Sequence, residues 1–248
     1  LWSAEADAEA EAMFLRAIEL DPGLAGSHAS LAQVLCSRGL IRPGYPSRKA
    51  DCAAAFRHAR EAIALDPYDP RCHISMAWNW AIARSPERAN THFRMAVDLN
   101  PNDSEALIAA ACGLAFVGHI EDAKGLAAKA VQMNPVYPEY FTDYLSAIQF
   151  IDADYAATIE TVEKCYEGFP DRAALAAAAW ALLGRTAEAG RAYRYFFTLT
   201  SSKWEGAGRA DDNDLESWIM DVLPINWPKG RQNLAKGLRL ACQMAEQA

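Results

Sequence analysis

Ala62-Ile63-Ala64-Leu65-Asp66-Pro67, Ala96-Val97-Asp98-Leu99-Asn100-Pro101 and Ala130-Val131-Gln132-Met133-Asn134-Pro135 are one phrase written three times, 34 residues apart. Self-similarity at this period marks an array of helical hairpins, because one hairpin cannot bury its apolar face without a neighbour. The residues before each proline carry the pattern. Ala89, Phe93 and Ala96 stand at i, i+4 and i+7, which places a small, a large and a small side chain on one helical face. The same places hold Ala10, Phe14 and Ala17 before Pro22, Ala55, Ala59 and Ala62 before Pro67, and Ala123, Ala127 and Ala130 before Pro135. Small residues let a neighbouring helix come close, and the middle residue fills the gap. Proline then ends the helix, with Asp or Asn before it to cap the turn.

Between these helices the chain reads as a second amphipathic set over 24–37, 70–83, 104–117, 138–151 and 172–183. Short connectors at Ser85-Pro86, Gly118-His119, Asp152-Ala153-Asp154 and Gly184-Arg185 predict tight turns, so each unit is an αα-hairpin. Hydrophobic residues form 52% of the chain, ample for a continuous core, and few segments alternate as strands do. The expected class is all-α.

Two stretches break the period. Pro22 and Pro67 are 45 residues apart, 11 more than the repeat, and the excess falls at Gly39-Leu40-Ile41-Arg42-Pro43-Gly44-Tyr45-Pro46. Two prolines and two glycines forbid a continuous helix there, which predicts an inserted loop suited to contacting a partner. After Thr200 the period is lost. A polar, Gly-containing stretch over 201–213 predicts a mobile linker, followed by a short helix N-capped by Asp214 and a last helix over 229–245. The domain reading is a repeat array over 1–200, with its insertion near 39–48, then a linker and capping helices over 201–248.

These motifs resemble the tetratricopeptide repeat. The family's second helix carries a small residue, an aromatic, a small residue and a proline; Ala89, Phe93, Ala96 and Pro101 fit it, as do Ala10, Phe14, Ala17 and Pro22. The repeats ending at Pro67 and Pro135 lack the aromatic, having Ala59 and Ala127. The next departs further, with Thr158 and Cys165 in the alanine places, and Ala189 with Tyr193 suggests one more degenerate helix. The resemblance implies a right-handed α-solenoid of five to six repeats. Its first helices would line a concave groove that takes a peptide or helical segment. By register that face is Gln33, Cys36, Arg71, Ile74, Trp78, Glu105, Ile108, Cys112, Phe116, Glu139, Thr142, Ser146, Gln149 and Phe150. The groove lacks the Lys and Asn cluster with which chaperone-binding members clamp a C-terminal carboxylate. Trp204, Trp218 and Trp227 offer a plug from the chain itself, and self-association would also cover the face. A weaker resemblance lies in Arg231–Ala241, with its Gly237-Leu238-Arg239-Leu240-Ala241 phrase. It is similar to the tails of bacterial class III adenylate cyclases and winged-helix transcriptional regulators. It implies a regulatory module of a larger signalling protein whose own upstream domain is a candidate partner; the start at Leu1 reads as a cut.

Catalytic signals are weak. Five histidines (His28, His58, His73, His92 and His119) show no metal-ligand spacing. Asp211, Asp212, Asp214 and Glu216 are the densest carboxylates and read as caps beside a helix start, and no nucleophile elbow or phosphate-binding glycine loop is present. No catalytic residue, cofactor or metal is assigned. A net charge of −8 disfavours nucleic acid, and no apolar run is long enough to span a membrane. Six cysteines (Cys36, Cys52, Cys72, Cys112, Cys165 and Cys242) lie scattered among helices, which reads as free thiols in a reducing compartment and so a cytoplasmic place. The functional expectation is a protein-interaction module. The alternatives are a small-molecule sensor closed by the C-terminal segment and a carboxylate- or metal-dependent hydrolase on a helical scaffold.

Overall fold

A computed structural model describes residues 3–164 and 168–247; Cys165 falls outside them. The described chain is built from thirteen helices. Helix α1 (Ala4–Leu20) precedes five hairpins: α2 (Ala25–Ile41) with α3 (Arg48–Leu65), α4 (Pro70–Ile82) with α5 (Pro86–Leu99), α6 (Ser104–Phe116) with α7 (Ile120–Met133), α8 (Phe141–Ile151) with α9 (Tyr155–Glu163), and α10 (Pro170–Leu182) with α11 (Thr186–Ser202). Two further helices, α12 (Asp212–Val222) and α13 (Pro228–Gln247), complete the chain.

Local chemistry sets the helix ends. Asp69 and Asp103 cap the starts of α4 and α6 through their carboxylates, and Pro70, Pro86 and Pro170 occupy first-turn positions where a missing N–H costs nothing. The turns inside the hairpins pass through the left-handed region at Arg84, Gly118, Ala153 and Gly184. The alanine triads behave as their spacing predicts. Ala55, Ala59, Ala62, Ala89, Phe93, Ala96, Ala123, Ala127 and Ala130 are all buried. Size is matched across the interface: the Phe93 ring occupies the space where Gly113 of α6 would carry a side chain. One period away, where the second helix has Ala59 or Ala127, the place of Gly113 holds Asn79 or Ala147. The missing aromatics are thus answered by larger residues on the facing helix.

Two polar devices lock successive hairpins. In α2 and α3, His28 and His58 meet Nδ1 to Nδ1 at 3.0 Å; in α4 and α5, His73 and His92 do the same at 3.0 Å. The Nε2 of each first-helix imidazole reaches the carbonyl of the preceding turn proline, Pro22 at 3.3 Å and Pro67 at 2.9 Å. A carbonyl only accepts, so Nε2 carries the proton and Nδ1 accepts from the partner ring. The other device is Arg38, buried in α2, which donates to Asp7 at 2.6 Å, Glu11 at 2.6 Å and Asp51 at 2.8 Å and so ties α1 and α3 to α2. Loss of a buried partner of this kind costs about 3–5 kcal/mol, since the remaining charge stays out of water.

The first helices form the inner layer, and the array curves tightly enough for α10 to touch α2. The chain leaving α11 crosses to the first hairpin instead of forming a free linker. The backbone N–H of Glu205 donates to the Pro43 carbonyl at 2.8 Å, Arg42 grips the Glu205 carboxylate with two bonds of 2.7 Å, and Trp204 lies against Gly44. The inserted loop is therefore engaged by the chain's own tail. Helix α12 is N-capped by Asp211, not Asp214: the two residues form a reciprocal capping box. From α12 the chain runs back along the C-terminal ends of the first helices. Trp218 Nε1 donates to Gly39 O at 2.9 Å, Asn226 Nδ2 to Ala81 O at 3.0 Å, and the N–H groups of Asn226 and Trp227 both to Phe116 O at 2.8 Å. In return Arg84 donates to the carbonyls of Met220 and Ile225, and Arg231 to Met220. Helix α13 then seals α10 and α11. Gly237 and Gly230 allow close approach, while Leu234, Leu238 and Ala241 are buried.

Two tests follow from this packing. A Cβ at Gly237 would stand 2.7 Å from the Ala178 Cβ and 2.8 Å from its carbonyl oxygen. Gly237→Ala is expected to destabilise the fold by about 1–3 kcal/mol, as overpacking does, read as a lowered denaturant midpoint. The histidine pairs predict acid sensitivity. Burial, and then the neighbouring His73, push His92 down to about 4, and burial pushes His58 down as well. The unfolded chain takes up the proton near the ordinary value of about 6.5 while the folded chain resists it. Stability from the pair is whole above that value, falls as pH drops towards about 4 and is level below. Replacing His73 and His92 together by Leu, the residues that stand one period on as Leu107 and Leu126, removes that loss. Relative to the variant, the native chain should lose ~1–2 kcal/mol across the window after allowance for solvent screening, measured by urea unfolding at each pH.

Candidate functional site

The face predicted from register divides along the helix axes. Cys36, Ile74, Ile108, Cys112, Phe116, Ser146 and Phe150 are buried, and Trp78, Thr142 and Gln149 are half-buried. Gln33, Arg71, Glu105 and Glu139 are exposed. Arg71, Glu105, Glu139 and Thr142 all stand at the N-terminal ends of their helices. The expected open apolar patch is not what the deep part of the face presents, because tight curvature brings its own side chains together. Trp78 of the second hairpin packs edge-on against Phe93 and Phe116 at ring distances of 5.2 and 6.0 Å. It also stacks on Tyr144, two hairpins further on, at 6.4 Å. Aromatic contacts of this kind fill the interior as a core does.

The C-terminal segment covers the opposite end of the same layer. Leu215, Trp218, Ile219, Val222, Leu223 and Ile225 are buried against the first helices' C-terminal ends, and the Trp227 ring lies against Gly118. The plug expected from Trp218 and Trp227 thus closes the floor of a cup whose mouth is formed by the N-terminal ends of α4, α6, α8 and α10. Trp204 seals the crossing to the inserted loop, its Nε1 buried with no hydrogen-bond partner.

The mouth is electrostatically structured. Arg172, buried at the start of α10, donates to Asp143 and, at 3.4 Å, to Glu139, and its guanidinium lies 4.4 Å over the Phe169 ring. Burial pushes the Asp143 carboxyl up to about 7, with the Asp171 charge adding to it and Arg172 opposing it. Burial raises Asp171 too. Arg71 is clamped to Asp69 at 2.6 Å and rests on Gly26 of the preceding hairpin. Tyr140 is raised by burial and by its hydrogen bond to Glu105. Inside, Ser146 donates to the Asp143 carbonyl at 3.0 Å, whereas the Gln149 Oε1 is buried without a partner.

These groups offer recognition rather than bond-making chemistry. Among the described residues no set of three or more His, Cys, Asp or Glu is placed to hold a metal ion, and each histidine pair brings two nitrogens. The carboxylates singled out in the tail have structural partners: Asp211 and Asp214 cap α12, Asp212 accepts from Tyr193 Oη at 2.7 Å, and Glu216 pairs with Arg239 at 2.6 Å. The thiols of Cys36, Cys72 and Cys112 are buried, and burial raises each of them. One described surface cleft lies along α13, and another, lined by Tyr193, Asp212, Glu216 and Cys242, opens between α11, α12 and α13. No helix of the described chain is long and apolar enough to cross a membrane.

Sequence reasoning missed the His28–His58 and His73–His92 pairing, although His58 and His92 are one 34-residue period apart. It also missed Tyr144, which has no counterpart in register and meets Trp78 only through curvature.

No family model matches the sequence, and no curated protein matches it. Solved structures do match the fold. One is a chain of the APC/C hetero-tetramer Cut9–Hcn1, at 15% identity and a TM-score of 0.61, covering 98% of this chain and 44% of that one. This chain therefore spans less than half of that relative. Another is PilW, a widely conserved type IV pilus biogenesis factor, at 14% identity and a TM-score of 0.56, covering 88% of this chain and 90% of that one. Both are tetratricopeptide-repeat proteins. The stacked hairpins α2–α11, whose turn prolines Pro67, Pro101 and Pro135 recur at 34 residues, have the tetratricopeptide-repeat fold.

Proposed function

We propose that the chain is a protein-interaction module that docks a peptide or helical segment of a partner at the open mouth of its concave layer. The observation that supports this reading most directly is the asymmetry of the inner face. Its far end is closed by the C-terminal helices and its middle is filled with rings, while Arg71, Glu105 and Glu139 remain in solvent at the N-terminal ends of their helices, with Thr142 half-buried among them. Polar groups ringing a partly apolar floor suit a segment held by side-chain hydrogen bonds and one or two apolar anchors. The resemblance of the closing helix to the tails of bacterial signalling proteins supports a regulatory role in such a protein, in the cytoplasm, with a second domain as the partner. Within the fold, the Gly237-Leu238-Arg239-Leu240-Ala241 phrase is used for packing: Gly237, Leu238 and Ala241 face the array.

A displayed random-peptide library tests the reading. Peptides enriched on the native chain are expected to lose at least tenfold in affinity, about 1.4 kcal/mol, when Arg71→Glu and Glu139→Lys are combined. They should bind normally to Glu87→Lys on the exposed face of α5. Failure to enrich any peptide, or unchanged binding to the double variant, overturns the mouth as the docking site.

A further inference from the structure

Helix α1 stands in the array as a second helix without a first. Ala10, Phe14 and Ala17 hold the places of Ala55, Ala59 and Ala62 in α3 and of Ala89, Phe93 and Ala96 in α5. Those later triads lie between two first helices, their own and that of the next hairpin, and are buried. In α1 only α2 is present, packed on Phe14 and Ile18 and tied by Arg38, and all three triad residues are half-buried. Met13 marks the uncovered side. It holds the place of His58 and His92, through which α3 and α5 meet their own first helices, and it is 63% exposed. Leu20, at the place of Leu65 and Leu99, is 71% exposed against their 39% and 36%. With half-buried Ala6, Ala10 and Ala17 these two make a stripe along α1 at i, i+4, i+7, i+11 and i+14.

The two ends of the stack differ in this respect. At the other end α13 covers the last hairpin and presents Lys229, Gln232, Lys236 and Arg239 to solvent, as a cap does. The entry into α1 is also unlike that of α5 and α7. There Arg84-Ser85 and Gly118-His119 make the tight turn from the first helix, with Arg84 and Gly118 left-handed. The equivalent Glu5 and Ala6 lie within α1, and Ser3 caps the helix by accepting the Ala6 N–H at 3.2 Å. The place of a first helix beside α1 is free, and no hairpin turn of the described chain leads into α1.

We infer that this face of α1 is an interaction surface for a helix of a partner protein, which takes the vacant first-helix place antiparallel to α1 and carries a Leu, a small residue at i+4, a basic residue at i+7 and a small residue at i+8. The pattern comes from the hairpins that are complete. The first helices α2, α4 and α6 share the buried rows His28-Ala32-Cys36, His73-Ala77-Ala81 and Leu107-Ala111-Ala115, a larger residue followed by small ones at i+4 and i+8. His28 and His73 open their rows and are the residues that meet the place of Met13, so an apolar side chain belongs opposite Met13 itself. Small residues at i+4 and i+8 let the helix come close over Ala10 and Ala6, continuing the interface between first and second helices that the array already uses. Charge selects the remaining position. At i+7 α4 has Trp80, whose ring lies 4.4 Å below the Arg88 guanidinium of α5. The place of Arg88 in α1 is Glu9, exposed and in no ion pair among the described residues, so a basic residue is its complement. A second copy fits less well, because its first helices are enclosed in their own stack. The surface lies at the end of the stack and shares no residue with the mouth, so either can fail without the other.

The probe is a stapled 18-residue helix with this pattern and Lys at i+7, compared by fluorescence anisotropy with the same peptide carrying Asp in place of Leu. The staple removes the folding cost of a short free helix. The native chain is expected to bind the patterned peptide at least tenfold more tightly. Met13→Glu with Leu20→Glu should abolish that preference, and a circular dichroism melt checks that the fold survives. If that pair unfolds, a charge swap at exposed Glu9 decides: Glu9→Lys should weaken binding about threefold, and a peptide with Glu at i+7 should restore it. Arg71→Glu with Glu139→Lys should bind the peptide as the native chain does. No saturable binding, equal binding of the Asp peptide, or a folded Met13→Glu, Leu20→Glu chain that binds normally overturns the inference. Loss of binding in the Arg71→Glu, Glu139→Lys chain also overturns it and moves the peptide to the mouth. A native dimer that Met13→Glu with Leu20→Glu converts to monomer, with no peptide binding, overturns it as well and assigns the face to a second copy.

Discussion

A stack of helical hairpins leaves a row of unpaired carbonyls wherever its first helices end, and in a tightly curved array those ends converge. The arrangement of the rest of this molecule turns on how that row is answered. Side chains and backbone N–H groups between Trp218 and Trp227 reach the carbonyls of Gly39 and Phe116 and add a second donor to that of Ala81, which already accepts from the Arg84 N–H. Arg84 and Arg231 return the service to the carbonyls that end α12. One continuous segment thereby holds the first three hairpins in a fixed curve and leads into α13, which seals the last.

That closure gives the molecule its polarity. With the C-terminal ends of the first helices covered, the N-terminal ends of the same helices are left in solvent. The same curvature collapses the middle of the concave face, where Trp78 reaches Tyr144 across two hairpins. At the N-terminal ends lies a charged mouth organised by Arg172, Asp143 and Glu139. Recognition by such surfaces depends on geometry held rigid beforehand, which lowers the ordering cost of binding.

Much of this was legible before any coordinates. The hairpins were placed by periodicity to within a few residues, because proline and Asp or Asn act locally and a 3.6-residue pattern needs no tertiary information. The insertion was legible as a loop, but its engagement by Glu205 and Trp204 was not, since those residues lie some 160 positions along the chain. Asp214 was read as a cap from its neighbours. The actual cap, Asp211, shares a reciprocal box with it, and either residue type satisfies the rule in isolation. The candidate face was read by register alone, and its division into buried and exposed residues required knowing how sharply the array bends.

Sequence alone determined the repeat, the helix boundaries and the alternation of small and large residues that lets helices nest. These follow from local sterics and from hydrophobic period, which act over a few turns of helix. The tertiary structure alone decided the curvature, the covering of one end, the pairing of His28 with His58 and of His73 with His92, and the choice of which inner residues meet solvent. The physical reason is that each of these depends on contacts between groups far apart in the chain. Their energies are realised only when every intervening hairpin is already in place.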